Sequence, residues 1–343
     1  MSVPFSLDSL SLYSVQQNLI LMLNKKEDAM KNNTRKKPIV FVPGLFGSMS
    51  NIIIPSTGDW NFGISAFVYE PFIMMLENMG YERNKNLFIS FYDWRQRIQT
   101  AAQNYLLKTI NLAKHITGSH KVNLICHSMG GLVARSYVQS EEYHTDVDQL
   151  ILLCTPNAGS PPNYSYWTGG TLPVCMSSKI NIVHLYMEQY INYLSILYKM
   201  NKVEAIQTHF QGLKDIIPCK YYGNYLFIKT GSSLKFLPYS KMHTQNQFLD
   251  ELNQNRGIIQ KRNIQTILIA GDMEETIQYL QVVPSRSKIK WADGKVVGDI
   301  LTKLGDGNVV TNSVFLLEGD KYIVQGAHNE VLYKSIPILQ KIL

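Results

Sequence analysis

The sequence lacks the features typical of membrane-spanning, secreted or metal-binding proteins. No apolar run reaches the roughly 18 residues of a membrane span, and the apolar stretch 19–23 is too short for a secretion signal. We therefore expect a cytoplasmic protein. The four cysteines form no CxxC pair, and no HExxH or EF-hand spacing occurs. We expect no metal site and no other cofactor, and pairing of Cys175 with Cys219 stays open.

The sequence also has no linker rich in glycine, serine or proline and no internal repeat, which argues against several domains in series. We expect a polar and basic N-terminal arm over 1–37 and one domain over 38–343. The net charge is +7, with much of the excess near the start of the chain. Such basic runs are most often solvated; the alternative is attraction to an anionic membrane surface. No nucleic-acid-binding motif occurs, so we expect no nucleic-acid partner.

Short β-branched runs alternate with helical spacing in the first half of the chain and near its end. This alternation predicts an α/β fold with a mostly parallel sheet and helices on both faces. The pattern breaks at about 159–262, which predicts a largely helical cap inserted at the carboxyl ends of the strands. Strands are predicted at 38–42, 86–91, 122–126, 147–154, 266–270 and 322–324, and helices at 64–78, 98–116 and 130–139.

The segment CHSMGG at 126–131 lies between a predicted strand and a predicted helix. A nucleophile elbow needs this context, with small residues two positions before and after the serine. Gly130 meets that need on one side, and Cys126 stands where glycine is usual. Ser128 is therefore the predicted nucleophile; the alternative is a chance match in a loop between strand and helix.

A serine that accepts an acyl group also needs N–H donors for the oxyanion. The residue after the nucleophile, Met129, supplies one backbone donor, and the loop after an early strand supplies the other. The loop VPGLFGS at 42–48 occupies that place, with Leu45 as the predicted donor. The simpler interpretation is a glycine-rich turn.

The base and its orienting acid must follow the serine in the order Asp, then His. His328 is the histidine that follows all the predicted strands. For the acid, Asp306 competes with Asp272; we favour Asp306, which is flanked by glycines and closer to His328. The remaining histidines of the core and insertion fit packing or surface roles better: His127, His184, His209 and His243.

The helical stretch 182–200 is apolar on nearly every face, more than packing on one core requires. Its surplus apolar surface must face a pocket, a partner or a membrane. We predict an acyl pocket above Ser128, lined by Phe46, Tyr190, Leu194 and Leu197.

Six segments share one family's pattern: VPGLFGS at 42–48, YDWR at 92–95, CHSMGG at 126–131, CTPNAGSP at 154–161, GDGNVV at 305–310 and AHNEVL at 327–332. Together they resemble the lecithin:cholesterol acyltransferase-like lipases. The resemblance implies an α/β-hydrolase fold, a Ser128–Asp306–His328 triad, and Leu45 and Met129 as oxyanion donors. It also implies hydrolysis or transfer of the acyl group of an ester, often a lipid. Asp93 and Arg95 are expected to form a structural ion pair, with a substrate role as the alternative.

Three functions compete. The first is an esterase or lipase that acts on a hydrophobic acyl ester through an acyl-serine intermediate. The second is an acyltransferase or thioesterase, which passes the acyl group to a non-water acceptor or unloads a carrier. The third is a non-catalytic binding protein on a hydrolase scaffold, which the serine, acid and histidine in correct order argue against.

Overall fold

The computed structural model describes residues 36–50, 59–170, 182–287 and 290–343. The predicted arm at 1–37 lies outside the described residues, except for Lys36 and Lys37. Cys175 also lies outside them, whereas Cys219 is a buried free thiol. Within the described ranges, no helix is both long and apolar enough to cross a bilayer.

A six-stranded sheet forms the centre of the fold, and all its neighbouring strands run parallel. Four further strands form a second, smaller sheet. The strands are β1 (Ile39–Val42), β2 (Leu87–Ile89), β3 (Val122–His127), β4 (Val147–Leu153), β5 (Leu226–Thr230), β6 (Ser233–Phe236), β7 (Gln265–Asp272), β8 (Thr276–Val283), β9 (Lys295–Thr302) and β10 (Asp320–Gln325). The strand order is β10-β7-β4-β3-β1-β2 in the large sheet and β6-β5-β8-β9 in the smaller one.

Helices connect the parallel strands, as crossover geometry demands. A π-helical segment, Ala102–Leu106, joins the helices Ile98–Ala101 and Leu107–Thr117, so the helix predicted at 98–116 is present with a change of winding. The helices are α1 (Ala66–Asn78), α2 (Ile98–Ala101), α3 (Leu107–Thr117), α4 (Met129–Val138), α5 (Pro162–Gly169), α6 (Ile182–Leu197), α7 (Lys202–His209), α8 (Gln247–Gln254), α9 (Ile258–Lys261), α10 (Thr311–Val314), α11 (Val331–Lys334) and α12 (Ile336–Ile342).

Both faces of the large sheet are covered at β1, which explains why that strand is apolar and buried at every position. In β1, Ile39 and Phe41 belong to one buried cluster with α1, α11 and α12. Val40 and Val42 belong to another, with α3 and α4. Successive strand residues point to opposite faces, so a strand covered on both sides is apolar at every position. The predicted α/β-hydrolase fold class is confirmed.

The chain leaves the large sheet between β4 and β7, the region predicted as a cap. Helices dominate this excursion, as predicted, and it also contributes the two strands β5 and β6. A second excursion, between β7 and β10, contributes β8 and β9. Strands from both excursions pair in the smaller sheet, where β5 runs parallel to β8. No sequence pattern predicted this second excursion.

Candidate functional site

Ser128 occupies a strained turn between β3 and α4. Its φ of 54° and ψ of −127° are unusual for a residue with a side chain. The Ser128 N–H donates to the carbonyl of Leu153 at 2.8 Å, which fixes the turn against β4. Strain of this kind persists only where surrounding contacts enforce it, and it concentrates at functional sites. The conformation is that of a nucleophile elbow.

Three glycines allow the close approach that this turn requires. A Cβ atom on Gly44 would lie 2.9 Å from Cβ of Ser128, and one on Gly130 would lie 2.5 Å from the Pro43 carbonyl oxygen. A Cβ on Gly131 would collide with the side chain of Thr155. Helix α4 therefore packs directly against the loop after β1, which brings Gly44 next to the serine.

Two backbone N–H groups beside Ser128 are free to bind an anion. Within the described residues, the N–H groups of Leu45 and Met129 donate to no protein acceptor. Met129 is the first residue of α4, where an N–H has no partner within the helix. Leu45 lies in a turn closed by the Gly47 N–H, which donates to the Gly44 carbonyl at 3.0 Å. Free N–H groups placed this way can stabilise a developing oxyanion.

The Tyr-Asp-Trp-Arg segment supports the loop that carries Leu45. The Tyr92 hydroxyl donates to the Pro43 carbonyl at 2.9 Å, and Trp94 Nε1 donates to the Ser48 carbonyl at 3.0 Å. Asp93 and Arg95 form a bidentate ion pair at 2.7 and 2.8 Å. The predicted structural ion pair is confirmed. The loop-supporting bonds of the two aromatic residues were not predicted, because they join segments far apart in sequence.

His328 and Asp306 are bonded to each other at the carboxyl edge of the large sheet. His328 Nδ1 lies 2.8 Å from Asp306 Oδ2. The other carboxylate oxygen accepts from the N–H groups of Asn308 at 2.9 Å and Val309 at 2.7 Å. Burial alone would raise the pKa of Asp306, but the adjoining His328 and the hydrogen bonds from Cys154 and Val309 outweigh it and lower that pKa below its usual value. Asp306 is therefore an anion that orients the imidazole.

Asp272, the competing acid, ends β7 but does not bond to the imidazole. Its backbone carbonyl accepts from the Gly326 N–H at 3.1 Å, and its Oδ1 is buried with no hydrogen-bond partner in the described part of the chain. The residue before it, Gly271, leaves room for the other acid, since a Cβ there would lie 2.7 Å from Cβ of Asp306. The geometry favours Asp306 over Asp272.

His127 connects the elbow to the His328 loop. Its ring centroid lies 4.8 Å from that of His328, and its Nε2 lies 3.1 Å from the His328 carbonyl oxygen. Because His127 directly precedes Ser128, this contact brings the serine and His328 to the same edge of the sheet. The sequence favoured a packing or surface role for His127 and did not predict its hydrogen bond to the His328 carbonyl.

Cys154 adds a third ligand-type atom beside the acid and the base. Its sulfur, a carboxylate oxygen of Asp306 and a ring nitrogen of His328 all lie within 4.8 Å of one another, and all three residues are buried. Thiolate, carboxylate and imidazole suit a soft divalent cation. An ion there would compete with the bond between His328 and Asp306, so the cluster fits acid–base pairing better than metal binding.

An aromatic row runs from the loop after β1 to the cap helix α6. The rings of Phe46 and Trp94 meet edge to face at 4.8 Å, Trp94 stacks on Phe210 at 5.6 Å, and Phe210 meets Tyr190 edge to face at 5.8 Å. The Tyr190 hydroxyl also accepts from Arg95 at 3.0 Å. Of the predicted pocket residues, Phe46 and Tyr190 are therefore joined in one apolar array.

The other two predicted pocket residues lie in different surroundings. Leu194 is buried in the main core with Met187 and Ile191, whereas Leu197 is 53% exposed. The exposure of Leu197 suits the alternative that the surplus apolar surface of α6 faces a partner or a membrane. A pocket role for either leucine stays a prediction.

Comparisons with known proteins agree with the motifs. A family model described as lecithin:cholesterol acyltransferase matches residues 17–264. A 101-residue segment is 31% identical to lecithin-cholesterol acyltransferase-like 4 of Arabidopsis thaliana and covers 28% of this chain and 19% of that protein. A 97-residue segment is 35% identical to phospholipase A(1) LCAT3 of the same plant and covers 27% and 22%. The matched segments span about a fifth of these plant proteins.

Solved lipase structures are similar at lower identity. The mature form of Bacillus licheniformis lipase BlEst2 is 14% identical, with a TM-score of 0.45 over 90% of this chain and 91% of that one. Staphylococcus hyicus lipase is also 14% identical, with a TM-score of 0.44 over 90% and 97%.

Proposed function

The chain belongs to the lecithin:cholesterol acyltransferase family, and from that premise we propose that it cleaves, or transfers the acyl group of, a hydrophobic carboxylic ester through an acyl-Ser128 intermediate. The observation that carries this proposal is the His328–Asp306 bond of 2.8 Å, and His127, which directly precedes Ser128, contacts the same His328 loop. The proposal assigns each part of an acyl-transfer site to a residue near this sheet edge: a nucleophile, a base, an orienting acid and two N–H donors.

The mechanism follows from the tautomer that Asp306 selects. A carboxylate accepts only, so Nδ1 of His328 carries the proton and Nε2 is free to take the proton of Ser128. The serine oxygen attacks the ester carbonyl, and the N–H groups of Leu45 and Met129 bind the resulting oxyanion. His328 then returns the proton to the leaving alcohol. Water or another acceptor, activated by the same base, releases the acyl group.

A hydrophobic acyl chain is the substrate part that the surroundings favour. The aromatic row from Phe46 to Tyr190 leads from the loop after β1, which carries Leu45, into the cap. Each methylene of an acyl chain buried there would contribute roughly 0.8 kcal/mol to binding. One Arabidopsis relative is named a phospholipase A(1), which supports a lipid ester. We propose 38–343 as the catalytic domain with a cap at about 159–262. An anionic membrane surface as partner and a cytoplasmic location stay predictions.

Transfer to a non-water acceptor is the second candidate function. The family name supports it, and so does the apolar cap, since aromatic residues over the acyl-serine would exclude water. Addition of a primary alcohol to the assay distinguishes the two. A transferase forms the new ester at the expense of free acid, whereas a hydrolase forms free acid throughout. A non-catalytic binding protein would form neither product.

The test is turnover of p-nitrophenyl butyrate and octanoate by wild type, Ser128→Ala and a matched control. Loss of the nucleophile should reduce kcat by roughly 10⁶-fold, with the thermal midpoint close to that of wild type. The control is Ser140→Ala, since Ser140 follows the opposite end of α4 and its hydroxyl donates to the Tyr137 carbonyl. Wild-type turnover in Ser128→Ala, or equal losses in both variants, would refute the proposal.

A further inference from the structure

Two buried residues outside the triad, Tyr69 and His127, connect the parts of the site. The Gly44 N–H donates to the Tyr69 hydroxyl at 3.0 Å. That hydroxyl lies 3.1 Å from His127 Nδ1, and His127 Nε2 lies 3.1 Å from the His328 carbonyl oxygen. Tyr69 is 4% exposed and His127 is 1% exposed. The chain of bonds thus runs from the loop of Leu45 to the loop of His328 and passes beside Ser128.

The direction of every bond in this chain is fixed by chemistry. A carbonyl oxygen only accepts, so Nε2 of His127 must carry the proton that bonds to His328. Nδ1 of neutral His127 is then an acceptor, and the Tyr69 hydroxyl must donate to it. The Tyr69 oxygen in turn accepts from Gly44. Each donor and acceptor of both side chains is used, which makes a buried polar network rigid rather than costly.

The network carries no charge at neutral pH. Burial, helped by the nearby His328, lowers the pKa of His127 to about 3. Burial raises the pKa of Tyr69 above its usual value. A neutral His127 matters because His328 becomes positively charged during acyl transfer, and a second positive imidazole in contact with it would oppose that charge.

Packing holds the network against the serine. A Cβ on Gly44 would lie 2.9 Å from Cβ of Ser128, 3.2 Å from His127 Nδ1 and 3.2 Å from the Tyr69 hydroxyl. The Tyr69 ring stacks on Phe62 with centroids 5.1 Å apart. A displacement of Tyr69 or His127 would therefore move the loop that carries the Leu45 N–H relative to Ser128.

We propose that Tyr69 and His127 are positioning residues, which hold the loop of Leu45 and the loop of His328 in fixed positions relative to Ser128. The inference rests on the proposed function, because it assigns these two side chains a part in the activity of that same site. Each side chain acts through a hydrogen bond to the backbone of a loop that carries a reacting group: Tyr69 accepts from the Gly44 N–H, and His127 donates to the His328 carbonyl. Displacements well below 1 Å matter at such sites.

The test measures covalent labelling of Ser128 by a fluorophosphonate, which needs no knowledge of the natural ester. The rate at saturation, kinact, reports nucleophile activation and oxyanion stabilisation, and KI reports binding. Tyr69→Phe should lower kinact by roughly 10- to 100-fold, the range expected for loss of one buried hydrogen bond, and leave KI unchanged. His127→Leu should lower kinact at least as much, and His127→Gln, which keeps a donor for the His328 carbonyl, should recover part of it.

The matched control is Tyr164→Phe. The Tyr164 hydroxyl is also buried, accepts from the Asp293 N–H and donates to the Gly294 carbonyl, but it packs in the core of the smaller sheet. Its loss should lower the thermal midpoint about as much as Tyr69→Phe and leave kinact at the wild-type value.

The outcomes separate this inference from the proposed function. Absence of labelling in wild type, or equal labelling of Ser128→Ala, would refute the proposed function and this inference together. Labelling that requires Ser128 but proceeds at the same kinact in Tyr69→Phe and Tyr164→Phe would refute the inference alone. Equal kinact for His127→Leu and His127→Gln would also contradict it. Tyr69→Phe tests the inference even if His127→Leu fails to fold, because the phenylalanine ring can keep the stacking of Tyr69 on Phe62.

Discussion

Replacement of Asp306 by asparagine alters the site without altering its shape. One carboxylate oxygen of Asp306 accepts two backbone N–H bonds, from Asn308 and Val309. In the variant, the amide oxygen must stay on that side, because an NH₂ group cannot accept from N–H donors. The amide NH₂ then faces His328 Nδ1 and donates to it. The imidazole is held as the Nε2–H tautomer, which cannot accept the proton of Ser128.

The magnitude follows from this tautomer change. Asparagine in place of an orienting aspartate keeps the geometry of a triad and lowers kcat by roughly 10⁴-fold. Two of the hydrogen bonds to Asp306 survive in the variant, and the bond to His328 is replaced by a reversed one. The free energy of unfolding should therefore fall by only about 1–3 kcal/mol, the cost of weakening one buried charge-assisted bond.

The assay is kcat for p-nitrophenyl octanoate, with urea unfolding of each variant. The control is Asp272→Asn, the same substitution in the competing acid, whose Oδ1 has no hydrogen-bond partner among the described residues. This control should keep kcat near the wild-type value. A large loss in Asp272→Asn combined with a small loss in Asp306→Asn would refute the reasoning and move the acid to Asp272.

Three further predictions follow from the structure. Gly130→Ala should lower kcat, because the new Cβ would force α4 away from the loop after β1; an unchanged kcat in that variant would contradict the packing argument. Leu197→Asn and Leu194→Asn should each lower the ratio of kcat/KM for octanoate to that for acetate esters if α6 lines the acyl pocket. If neither variant changes this ratio, the helix belongs to a core or partner contact instead. In the unfolded state His127 binds a proton once the pH falls below its usual pKa of 6.5, whereas in the native state it does so only near pH 3. The stability that neutral His127 contributes above pH 6.5 should therefore be lost as the pH falls towards 3. Urea unfolding at pH 7 and pH 5 should show a smaller loss in His127→Gln than in wild type, and equal losses would contradict the neutral, buried His127.

The central strands and the elbow could be predicted because their signals are local. Strand β3 was predicted at 122–126 and is Val122–His127, since a run of buried apolar residues ends in the turn of Ser128. The order of serine, acid and histidine predicted His328 but fitted both Asp272 and Asp306; the flanking glycines and the shorter sequence separation from His328 favoured Asp306. Their hydrogen bond depends on residues 22 positions apart, and the glycines around Asp306 were the local sign of it.

The second sheet could not be predicted in this way. Strands β8 and β9 have many half-buried or exposed positions, so their apolar pattern is weak. The pairing of β8 with β5 depends on contacts between two separate excursions of the chain. The hydrogen bonds of Tyr69 and His127 could not be predicted either. Tyr69 and His127 are 58 positions apart, His127 and His328 are 201 positions apart, and a single hydrogen bond joins each pair. A tyrosine within an apolar helix face has no sequence signature that sets it apart from a core residue.

Acylation of Ser128 itself is the most direct test of the proposed mechanism. Wild-type protein mixed with p-nitrophenyl octanoate and quenched in acid within the first turnovers should gain the mass of one octanoyl group, and peptide mapping should place that group on Ser128. Ser128→Ala should gain none. Turnover by wild type with no adduct at any quench time, or an adduct that maps to another residue, would contradict the acyl-serine intermediate.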